Sequence, residues 1–159
     1  MTRTHIAALL ALAVAIPAAT AAAFHSSGTR PCFSAGASGY RISDSAPANV
    51  TVRIDNMAAT PDLRLQLVDD PAAADFVLVD DSDTVNACSG AVQNIRLDPA
   101  AEHADLTVTL SRAPADYKIY VRSDNFSQQD AAALFAVLWN AARKDARAAT
   151  SGREFAARN

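Results

Sequence analysis

The chain repeats itself at an offset of 43 residues, and this self-similarity narrows the architectures open to it. Val52-Arg53-Ile54-Asp55 falls on Ile95-Arg96-Leu97-Asp98, Asp62-Leu63 on Asp105-Leu106, and Leu67 on Leu110. After a two-residue deletion the match resumes, with Asp75-Phe76 on Asp116-Tyr117, Leu78 on Ile119, and Ser82-Asp83 on Ser123-Asp124. Polar, turn and apolar positions agree together, which predicts a tandem duplication with repeats 50–83 and 93–124. Within each repeat the apolar residues alternate as they do on half-buried strands: Val50, Val52, Ile54, then Leu63, Leu65, Leu67. The same period runs through Leu106, Val108, Leu110 and through Tyr117, Ile119, Val121, with a weaker signal over 92–97. Residues 76–79 are continuously apolar, the pattern of a central strand covered on both faces.

One helix follows the second repeat. Ser127 and Asp130 have the spacing of a capping box, and Leu134, Phe135, Leu138, Ala141 and Ala142 then share one face. The spacing predicts a helix over 128–148, ended by Thr150-Ser-Gly152, with Leu134, Phe135 and Leu138 against the sheet and Arg143 and Arg147 exposed. Connections between the strand signals are short, which favours antiparallel neighbours over helical crossovers. The expected fold is therefore α+β: about six mostly antiparallel strands packed with one C-terminal helix. This forms a single domain over 49–150, preceded by a Ser-, Gly- and Pro-rich arm at 24–48 and followed by a frayed tail at 151–159.

The first 23 residues read as a secretory signal peptide. A short start carrying Arg3 leads into an apolar run over 6–16, Pro17 breaks it, and Ala21-Ala22-Ala23 supplies a small-residue cleavage site before Phe24. The run is too short to span a bilayer. A periplasmic or secreted protein without a membrane anchor after cleavage is expected. The abundance of Ala, and of Asp and Arg over Glu and Lys, points to a GC-rich bacterium.

Cleavage would remove one Arg and no acid, taking the net charge from −3 to −4. An acidic balance argues against nucleic acid or an anionic membrane surface as the partner. Cys32 and Cys88 are the only cysteines, and in an oxidising compartment an even count predicts a disulfide between them. Asp80, Asp81 and Asp83 form an acidic turn that could offer oxygen ligands to a divalent cation, although the spacing does not fit an EF-hand loop. His25, Cys88 with His103, and Trp139 with Phe135 and Tyr120 are weaker candidates for copper binding, nucleophilic catalysis and a ligand cleft. For the last group, core packing between helix and sheet is the expected role. The sequence has no G-x-S-x-G, H-E-x-x-H, S-x-x-K or Gly-rich phosphate loop. No catalytic residue and no cofactor are assigned. The expected function is a non-catalytic binding or envelope-interaction module whose partner is an envelope protein or a small ligand. The alternatives are a divalent-cation-binding protein using residues 80–83, and a hydrolase built on an acid pair.

Overall fold

The computed structural model describes residues 32–35, 38–43, 47–80 and 91–156; at 80 and over 150–156 only the backbone is described. Eight strands form one curled sheet: β1 (Phe33–Ala35), β2 (Ser38–Ile42), β3 (Val50–Ile54), β4 (Leu63–Leu67), β5 (Phe76–Asp80), β6 (Val92–Leu97), β7 (Leu106–Ser111) and β8 (Tyr117–Ser123). The helix α1 (Gln128–Ala156) packs against it. The α+β class holds. The strand number and direction do not: the sheet has eight strands, and every neighbouring pair is parallel except β1 with β2. The segment expected as an arm supplies β1 and β2, which extend the sheet.

The strand order, β1-β2-β6-β3-β7-β4-β8-β5, explains why short connections misled. The two halves interleave, so that strands of one repeat lie between strands of the other. Ile54 ends β3 beside Val108, and Leu63 begins β4 on the other flank of the same Val108. In the same way Val52 lies between Leu97 and Leu106, Leu65 between Leu110 and Tyr117, and Ile119 between Leu67 and Phe76. The chain steps over one strand of the other half and continues in the same direction at the same height. Within each half, from β3 to β5 and from β6 to β8, it does not travel back along the sheet. A short link such as 55–62 therefore suffices, where a parallel crossover ordinarily takes roughly a dozen residues or more.

Alternation decides the two faces. Val52, Leu63, Leu65, Ile95, Leu106, Val108, Leu110 and Ile119 point inward and are buried, several of them completely. The helix begins with the expected cap: Ser127 Oγ accepts from the Asp130 N–H at 3.1 Å, and Asp130 Oδ2 accepts from the Ser127 N–H at 2.9 Å. Its first turns depart from a one-sided stripe. Ala131, Ala132, Ala133, Leu134, Ala136 and Val137 are all buried, and at about 100° per residue they cover the whole circumference. Gln128 and Gln129 in the first turn are exposed, but over 131–137 the helix is enclosed, and alanine is the side chain that fits so close an approach. Leu134 is buried as expected, whereas Phe135, Leu138 and Trp139 are partly buried against the core. Residues 141–149 are exposed, so Ala141 and Ala142 are not part of the packed face. The helix also runs past Thr150 and Gly152 to Ala156, since one interior glycine costs only ~1 kcal/mol.

Candidate functional site

The Asp-rich composition has a structural explanation at the strand entrances. Asn49, Asp62, Asp75 and Asp105 each stand immediately before a strand. Each N–H donates to a carbonyl on the adjacent strand, of Asn94, Thr107, Lys118 and Thr51 respectively, at 2.8–2.9 Å. Each side-chain oxygen then accepts from the N–H of that same residue, at 2.7 Å for Asn49, Asp75 and Asp105 and 2.8 Å for Asp62. The result is a two-bond clamp that joins the halves at four places. A one-methylene side chain reaches this N–H where the longer Glu would overshoot, consistent with the preference for Asp. At strand exits and turns, Asp55, Asp70 and Asp98 accept from the N–H two residues on, at 2.9, 2.9 and 3.0 Å. Asp69 pairs with the Arg112 guanidinium at 2.8 Å. These carboxylates are committed to backbone or guanidinium partners, which is what an acid pair for hydrolysis would have to give up.

Of the acidic turn, Asp80 ends β5, and Asp81 and Asp83 lie outside the described residues. Among the described residues no three His, Cys, Asp or Glu side chains group so as to hold a metal ion. Cys32 is buried just before β1, and the described residues contain no free cysteine; Cys88 and His25 lie outside them. His103 is exposed in the bend that precedes β7.

The aromatic candidates separate onto two sides of the sheet. Phe135 packs on Phe76 and Tyr117 with ring centroids 5.3 and 5.4 Å apart, and Trp139 Nε1 donates to the Tyr117 hydroxyl at 3.2 Å. Arg143 lies 4.4 Å from the Trp139 ring, closing this cluster toward the exposed half of the helix. Tyr120 projects from the opposite face of β8, level with Val77, so the three do not line one cleft.

That opposite face is the surface the sequence did not single out. Across the sheet its register rows are Arg41 with Asn94, Thr51 with Arg96, Arg53 with Thr107, Arg64 with Thr109, and Gln66 with both Ser111 and Lys118. Arg64, Arg96 and Lys118 are exposed. Arg53 is held in place by hydrogen bonds to the Ala101 carbonyl at 3.1 Å and Thr107 Oγ1 at 3.4 Å. Among the described strands the only acidic residue is Asp80, at the end of β5. Cations, hydroxyls and amides thus occupy the strands of this face, while the carboxylates beside them are engaged: Asp62, Asp75 and Asp105 by backbone N–H groups and Asp55 by Arg53 at 4.0 Å. The polar phase of each strand was legible as a solvent face, but the strand order that merges these phases into one surface was not. No protein-family model matches this chain, and comparison with curated proteins and with solved structures returns no match.

Proposed function

We propose that the chain is exported and serves as a non-catalytic binding module of the bacterial envelope, with the outer sheet face as its binding surface. The observation that carries this is the shared outward phase of the basic residues: a protein of net charge −3 sets Arg41, Arg53, Arg64, Arg96, Lys118 and Arg122 on one sheet face, interleaved with Thr, Asn and Gln. Guanidinium groups among hydroxyls and amides favour carboxylate- or phosphate-bearing ligands, whether on an envelope protein or a small molecule. Overall negative charge repels such a ligand at long range. The face attracts it only within about 8 Å at physiological ionic strength, so binding is salt-sensitive. The leader-like first 23 residues support export, and pairing of Cys32 with Cys88 suits the oxidising compartment. The regular interleaving supports an origin by duplication of 50–83 and 93–124.

Chromatography on dextran sulfate, with neutral dextran as the control, tests the surface. The protein is expected to be retained on the sulfated matrix at low salt and released as salt rises. The triple variant Arg64→Glu, Arg96→Glu, Lys118→Glu should pass through. Passage of the unaltered protein, or retention unchanged by the triple variant, would count against the outer face as the binding surface.

A further inference from the structure

We propose that β5 is a docking edge for a second copy of this chain, joined antiparallel about a two-fold axis at Leu78. The starting point is a mismatch between sequence and position. Residues 76–79 are Phe-Val-Leu-Val, the composition of a central strand covered on both faces. The structure instead places β5 last in the sheet, paired among the described residues on one side only, with β8. Its outward residues Val77 and Val79 are 46% and 45% exposed, and with Met57 they are the large hydrophobics exposed among the described residues. Edge strands usually defend themselves with Lys, Pro or a bulge. β5 has no Lys and no Pro, and its register with β8 is unbroken from Phe76–Ile119 to Asp80–Ser123. An open row of backbone groups is thus presented beside an apolar pair.

The strand is its own complement. Val77-Leu78-Val79 reads the same in both directions, so antiparallel pairing centred on Leu78 sets Val77 opposite Val79 of the second copy, twice. Tyr120 is level with Val77 and Arg122 with Val79. The joined outer face would then carry rows running Tyr120, Val77, Val79, Arg122 from one copy to the next. Four valines come together there, flanked by Tyr120 and Arg122 of each copy. The inner faces meet at Leu78, which is already buried within each copy. A general peptide ligand would have to bring such a strand; the chain itself already supplies one. Because one short strand per copy is small for an interface, the dimer is weak and concentration-dependent.

Sedimentation velocity on the full chain, from about 1 μM to roughly 200 μM, reads the dissociation constant. A reversible monomer–dimer equilibrium is expected within that range. Val77→Lys with Val79→Lys, and separately Val77→Asp with Val79→Asp, should each be monomeric while keeping the circular dichroism spectrum of the unaltered protein. Mixing the two variants should restore a one-to-one dimer, because the register sets each introduced Lys opposite an introduced Asp. If the double variants fail to fold, Val77→Thr with Val79→Thr preserves strand propensity and should weaken association at least about tenfold. A monomer throughout the range overturns the proposal and leaves the edge to another occupant. So does a dimer that the Thr or charged variants leave unchanged, or a mixture that stays monomeric.

Discussion

β5 and β8 occupy matching places in the two halves, yet they differ in the phase that faces outward. Their inward residues are alike: Leu78 is 3% exposed and Ile119 is fully buried. Their outward residues are opposites, Val77 and Val79 on β5 against Lys118 and Tyr120 on β8. The interior strand carries the polar outer face, and the edge strand carries the apolar one. If solvent alone set these choices, the pattern would be reversed, since an edge is the more exposed position. The core therefore accounts for one phase of both strands, and nothing within the described chain accounts for the other phase of β5.

Substitutions along these two strands would break or sharpen that contrast. The largest effect is expected at Ile119, which is buried between Leu67 and Phe76 on its two flanks; Ile119→Ala should cost about 2–5 kcal/mol. That is a large share of the roughly 5–15 kcal/mol holding a domain of this kind together. Leu78→Ala should cost somewhat less, about 2–4 kcal/mol, because one of its strand's flanks is open. If Leu78→Ala leaves a urea midpoint unmoved, the inward phases of β5 and β8 are not equivalent. Asp75→Ala removes the clamp that ties β5 to Lys118 and should cost ~1 kcal/mol, given how exposed that bond is. Asp75→Asn should recover most of the loss, since Asn49 makes the same clamp without a charge. The smallest effect is expected for Val77→Thr with Val79→Thr, each within about 0.5 kcal/mol at concentrations where the chain is monomeric. A loss of several kcal/mol there would mean that the valines are covered within their own chain.

How much was legible follows from what each signal measures. Period-two alternation reports which residues face the core, and it located Val52, Leu65, Val108 and Ile119 correctly, because burial depends on the face and not on the neighbour. The matched Asp62 and Asp105 pointed to strand entrances, where both now make clamps. The Ser127–Asp130 cap was legible because it is local. Strand direction was not legible. Short links imply hairpins only when consecutive strands are neighbours, and here Val108 stands between Ile54 and Leu63. The all-round burial of α1 near Ala132 and Ala136 was missed for a similar reason, as alanine scores weakly on any face and only a curled sheet encloses it. The outer cationic surface needed the interleaved order before Arg64, Arg96 and Lys118 could be seen as parts of one face.

Amide hydrogen exchange resolved by residue tests the contrast between the two strands most directly. In dilute solution the β8 amides directed at β4 over 117–119 and at β5 over 119–123 should be protected. The β5 amides should divide, those directed at β8 slow and those directed at the open edge fast. The fast set should gain protection as concentration rises, while β8 stays unchanged. Uniform protection of β5 in dilute solution, including the amides directed away from β8, would contradict an open edge.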